Sequence, residues 1–149
     1  MLSLNNKSNF FFDCLPSYYT GYLKVGNGHS IYYEQYGNPK GIPILFLHGG
    51  PGAGFSNTHK SFFDSNVFRV IFFDQRGSGK SLPYAETNYN NTQLLISDIE
   101  NLRNSLKIDK WYLFGGSWGS TLALLYGIDY PNRCLGFILR GIFLGTKME

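Results

Sequence analysis

The pentad Gly115-Gly116-Ser117-Trp118-Gly119 has the spacing G-x-S-x-G, which sets a serine hydroxyl between two residues that lack a Cβ. Acyl transfer through a serine needs that arrangement. The hydroxyl must project from a sharp strand-to-helix corner, neighbouring backbone must approach closely, and free N–H groups at the helix start must face the developing oxyanion. Ser117 is therefore the candidate nucleophile, and the amide of Trp118 is one candidate oxyanion donor. A second donor has to come from a loop after an earlier strand. His48-Gly49-Gly50-Pro51-Gly52 follows the apolar run Ile42–Leu47, and Gly50 is the candidate there. The competing account of both loops is a tight glycine turn that packs one element on another and does no chemistry.

The elements that must position these groups can be read from hydrophobic pattern. Trp111 to Phe114 reads as a buried strand, and the apolar run beyond the pentad reads as a helix that stops near Pro131. Trp111 to Ile128 carries no charge, which reaches the lower limit of about 18 residues for a membrane span. The glycine-serine interruption and the flanking Lys110 and Asp129 favour a soluble core instead. Ile42–Leu47, Val67–Phe73 and Leu135–Leu139 read as further strands, while Tyr22–Val25 and Ile31–Tyr36 form a hairpin across Gly26-Asn27-Gly28-His29. Ser56–Asp64 reads as a short helix. A longer one starts at Asn91 or Thr92, with Leu95, Ile99, Leu102 and Leu106 along one face. Residues 1–17 form an irregular lead-in whose Phe10-Phe11-Phe12 packs on the body. The pattern predicts an α/β fold in one domain over 1–149: a mostly parallel sheet, an antiparallel N-terminal hairpin, and helices on both faces.

Composition narrows the function. Hydrophobic content of 43% with 15% charged residues marks a globular chain, and its 13 basic residues are scattered, so no nucleic-acid partner is expected. Cys14 and Cys134 are too few for a disulfide framework or metal site, and no metal or cofactor is expected. The N-terminus lacks a secretory leader pattern, which points to a cytoplasmic protein without a membrane partner. Asp74 to Ser81 ends in Gly-Lys-Ser after a strand, as a phosphate-binding loop does. The first glycine of that pattern is replaced by Asp74, and Pro83 follows instead of a helix. Gly50 to Phe55 likewise misses a dinucleotide-binding G-x-G-x-x-G at its last position.

HGGPG at 48–52, FFDQRGSGKS at 72–81, NTQLLISDIENLR at 91–103 and GGSWGS at 115–120, in this order, resemble the proline iminopeptidases, serine aminopeptidases of the α/β-hydrolase superfamily. The resemblance extends from Tyr19 to Phe143. It implies release of N-terminal proline from a peptide substrate through an acyl-enzyme on Ser117, with Gly50 and Trp118 as oxyanion donors. It also implies that Asp74 and Arg76 shape the loop beside the site. The superfamily's triad order is serine, acid, histidine. His29, His48 and His59 all precede Ser117, and no histidine follows it. His48 is assigned to the oxyanion loop, His29 to a hairpin turn, and His59 to a surface helix as an ordinary polar residue. The chain is thus expected to be an N-terminal half, with helical cap, triad acid and histidine outside it, and a complementing C-terminal half is a candidate partner. Two other readings stay open: a non-catalytic remnant of that enzyme, and another α/β-hydrolase such as an esterase.

Overall fold

A computed structural model describes residues 11–144. Six strands form one sheet: β1 (Tyr19–Gly26), β2 (His29–Gly37), β3 (Ile42–Leu47), β4 (Phe68–Phe73), β5 (Trp111–Gly116) and β6 (Cys134–Arg140). Their spatial order is β1-β2-β4-β3-β5-β6. The first strand pairs antiparallel with β2, and β2 antiparallel with β4; the pairs β4–β3, β3–β5 and β5–β6 are parallel. The hairpin closes on Asn27 and Gly28, both at positive φ (52° and 77°), the conformation an Asn-Gly hairpin turn adopts without strand splay.

The central strands are apolar at nearly every position because both faces are covered. Leu45, Leu47, Ile71, Phe73, Trp111 and Leu113 point to one face, and Ile44, Phe46, Val70, Phe72, Tyr112 and Phe114 to the other. The first face carries both α-helices, α1 (Thr92–Ser105) and α2 (Trp118–Asp129). Asn91 caps α1, its side-chain oxygen accepting the Leu94 N–H at 3.0 Å. Leu95, Ile99 and Leu102 are buried as the periodicity requires, and Leu106 is partly buried beside them. The opposite face is covered by a 3₁₀ turn, Asn57–Phe62, together with Phe55 and Phe63. Helical segments thus lie on both faces, both α-helices on one and the 3₁₀ segment on the other. Six residues of 3₁₀ turn suffice on the other because Phe62 and Phe63 fill it with aromatic volume.

The lead-in is attached rather than tucked in. The Phe12 N–H donates to the Ser61 carbonyl at 2.9 Å and the Phe11 ring lies 6.0 Å from Phe62, yet Phe11 remains 62% exposed; Phe10 lies outside the described residues. Strand β6 is at the sheet edge, with Leu135, Phe137 and Ile138 all more than two-fifths exposed. No helix among the described residues is long and apolar enough to cross a membrane.

Candidate active site

Ser117 sits between β5 and α2 with φ 53° and ψ −125°, a conformation that costs a non-glycine residue about 1–3 kcal/mol. The corner holds because its surroundings leave no alternative. The Ser117 N–H donates to the Arg140 carbonyl at 3.0 Å, and the Ser117 carbonyl accepts from both the N–H and the hydroxyl of Ser120 at 2.8 and 2.6 Å. Close packing explains the flanking glycines: a Cβ on Gly119 would lie 2.1 Å from the Leu47 carbonyl oxygen, and one on Gly115 would lie 2.3 Å from that of Gly119.

The end of β3 brings the second loop alongside. A Cβ on Gly49 would lie 3.3 Å from Cβ of Ser117, so the His48–Gly52 loop touches the corner directly. Together they border a cavity of about 230 Å³, lined by Gly49, Gly116, Ser117, His59, Arg140 and an aromatic wall of Phe46, Phe62 and Phe114. Gly50 and Trp118 do not line it themselves; each adjoins a lining residue. Among the described residues, no loop or cap hydrogen bond engages the Gly50 or Trp118 N–H.

The three histidines fall in unlike places. His48 is buried: its Nε2 lies 3.0 Å from the Gln75 N–H, and its Nδ1 lies 3.2 Å from the Gly54 N–H and 2.9 Å from the Gly49 carbonyl, so both ring nitrogens are engaged by backbone. His29 opens β2 rather than lying in the turn, and it is buried, with Nε2 3.0 Å from the Asn88 carbonyl. His59 departs most from expectation. It is half-buried in the cavity wall, stacked on Phe46 at 4.7 Å, with Nδ1 accepting the Ser56 N–H at 3.0 Å. It sits on the 3₁₀ segment that covers this face of the sheet, its ring against Phe46 and Phe62.

Burial holds both the His48 and the His59 imidazoles below their ordinary value; Arg140 adds to the effect at His59, while the Gly49 carbonyl and Asp74 oppose it at His48. Unfolding returns both rings to about 6.5, so the unfolded chain takes up protons that the folded chain refuses. Their contribution to stability is complete above about pH 6.5 and declines as pH falls through that value towards the folded ones. Urea midpoints measured from about pH 8 to pH 5 should fall on the acid side; a flat profile would refute this.

Asp74 to Ser81 holds its own anion. The Asp74 carboxylate accepts the N–H groups of Phe55 (2.9 Å) and Lys80 (2.8 Å), and a Cβ on Gly79 would lie 2.2 Å from Asp74 Oδ2. A phosphate would have to displace a carboxylate from those donors, and no helix follows until Thr92. Titration with a magnesium–nucleotide complex is therefore expected to give no saturable signal; micromolar binding lost in Lys80→Ala would contradict this. Arg76 is equally occupied. It clasps Asp98 of α1 through Nε and Nη2 at 2.6 and 2.8 Å and donates to the carbonyls of Tyr89 and Val25.

Between them lies Gln75, which inspection of the sequence passed over. Its side chain joins the His48 carbonyl to the Trp118 indole. The available signal was a glutamine inside a glycine-rich loop, a position where a polar side chain has backbone groups within reach.

Comparison with known proteins agrees with this architecture. A model of the alpha/beta hydrolase fold family matches residues 42–149, and the chain belongs to that family. Within it, the chain is 55% identical over 138 residues to a probable proline iminopeptidase of Leptolyngbya boryana, covering 93% of this chain and 43% of the relative. It is 50% identical over 144 residues to the proline iminopeptidase of Arabidopsis thaliana, covering 97% and 38%. Among solved structures, a proline iminopeptidase-related protein of Thermus thermophilus superimposes with a TM-score of 0.71 at 33% identity, over 81% of this chain and 43% of that one. The chain thus spans about two-fifths of the length of these relatives.

Proposed function

We propose that this chain carries the nucleophile and oxyanion hole of a serine hydrolase that releases N-terminal proline from peptides. The observation that carries the reading is the backbone of Ser117, held at φ 53° and ψ −125° on a strand-to-helix corner beside a glycine loop. Such strain persists only where the surroundings over-determine it. In the reaction, Ser117 Oγ attacks the carbonyl carbon of the proline residue. The Gly50 and Trp118 N–H groups hold the resulting oxyanion, the C–N bond to the next residue breaks, and the serine proton passes through a base to the leaving amine. Water then hydrolyses the prolyl ester. The aromatic wall of Phe46, Phe62 and Phe114 offers an apolar surface suited to a pyrrolidine ring. The similarity to proline iminopeptidases supports the substrate class. A cytoplasmic location and a complementing C-terminal half that supplies acid, base and cap belong to the same reading.

L-Proline p-nitrophenyl ester tests it, because its leaving group departs without a proton. Peptide mapping should find one prolyl adduct, on Ser117, absent from Ser117→Ala. An adduct elsewhere, or one that survives the substitution, would overturn the assignment.

A further inference from the structure

We infer that Gln75 is a positioning residue that ties the two halves of the oxyanion hole together; the inference rests on the Ser117 reading above. Gln75 is 2% exposed and uses three groups at once. Its backbone N–H donates to His48 Nε2 at 3.0 Å, its side-chain Nε2–H donates to the His48 carbonyl at 2.9 Å, and its Oε1 accepts the Trp118 indole N–H at 3.1 Å. His48 begins the loop that carries Gly50, and Trp118 is the residue whose own amide is the other donor. One planar carboxamide therefore spans the backbone of one donor loop and the side chain of the residue that carries the other donor.

The chemistry of the bridge selects glutamine. It needs a donor for a carbonyl and an acceptor for an indole N–H, which a carboxamide supplies without charge. Glutamate would keep the acceptor and lose the donor, setting a buried carboxylate against the His48 carbonyl; leucine would lose both. The functional reach follows from geometry. Oxyanion donors work at about 2.7–3.1 Å from the developing charge, and a misplacement of about 1 Å lowers rate by about 100-fold. Loss of the bridge should weaken binding of a tetrahedral species while leaving ground-state binding almost untouched.

The test compares the chain with its Gln75→Leu and Gln75→Glu variants. In amide and indole hydrogen exchange, Gln75→Leu should speed exchange of the Trp118 indole N–H and of the amides at 48–54 by at least about tenfold. The Trp111 indole, buried at the start of β5, serves as the internal control. Gln75→Glu should loosen 48–54 while the Trp118 indole stays protected, and it carries the test if Gln75→Leu fails to fold. In the second measurement, affinity for L-prolyl boronic acid, whose adduct with Ser117 is tetrahedral, should fall about 10–100-fold in Gln75→Leu, with affinity for L-prolinamide within about twofold. Unchanged exchange in both variants would overturn the bridge. Faster exchange with equal loss of both affinities, or of neither, would overturn the positioning role and leave the Ser117 reading standing. Boronate binding that survives Ser117→Ala would overturn the Ser117 reading and leave the exchange result intact.

Discussion

Purified residues 1–149 should release proline from proline amides no faster than their Ser117→Ala variant, and adding a polypeptide that supplies an acid and a histidine should raise turnover about 10⁴–10⁶-fold. A serine hydroxyl attacks poorly until a positioned base takes its proton. Among the described residues, no hydrogen bond joins the Ser117 hydroxyl to a histidine, and each ring has a physical reason not to serve. A neutral imidazole has one accepting nitrogen. Both nitrogens of His48 are engaged by backbone groups of Gln75, Gly54 and Gly49, while the accepting nitrogen of His59 takes the Ser56 N–H, so its other nitrogen bears the proton. His29 is hydrogen-bonded to the loop at Asn88 and does not border the Ser117 cavity. The oxyanion hole alone leaves about 10³–10⁴-fold acceleration over water, which would read as a weak background. Edge strand β6, with Leu135, Phe137 and Ile138 exposed, should meanwhile make the isolated chain associate, visible as an early shoulder in size-exclusion chromatography. Brisk turnover by 1–149 alone that vanishes in Ser117→Ala would show that one of these histidines is a base after all.

Breaking the Arg76–Asp98 pair should give the largest loss of stability from a side chain that does not line the Ser117 cavity. Both side chains are at most 1% exposed, and the contact is bidentate at 2.6 and 2.8 Å. Burial pushes the Asp98 carboxyl up, with the Arg76 guanidinium pulling against that shift. Removing one partner leaves the other charge without its counter-ion, at a cost of about 3–5 kcal/mol. Arg76→Met and Asp98→Asn should each fall in this range in urea unfolding at constant m. The double change Arg76→Met with Asp98→Leu should recover part of the loss and not all of it. Arg76 also satisfies the Tyr89 and Val25 carbonyls, and each orphaned group costs about 1–3 kcal/mol. A single Arg76→Met within about 1 kcal/mol of the wild type would show that the pair is not what joins the loop to α1.

What the sequence determined by itself is local. Apolar runs at Ile42–Leu47 and Val67–Phe73 marked strands covered on both faces. Asn27-Gly28 marked the hairpin, Asn91 the cap of α1, and G-x-S-x-G the strained corner, because each is set by preferences that act over a few neighbouring residues. Replacement of a glycine by Asp74 was enough to argue against a phosphate loop, and the carboxylate does occupy the loop amides. The tertiary structure decided everything that depends on which strands become neighbours. The order β1-β2-β4-β3-β5-β6 sets the ends of β3 and β5 side by side, and only then does the His48 loop reach Ser117. The same pairing lets Gln75 reach Trp118, 43 positions away, and the 3₁₀ cover of the far face turns His59 into the cavity wall. Helix and strand propensities are energies of adjacent residues, whereas these contacts form only when the parallel crossovers bring distant loops together at the ends of the central strands.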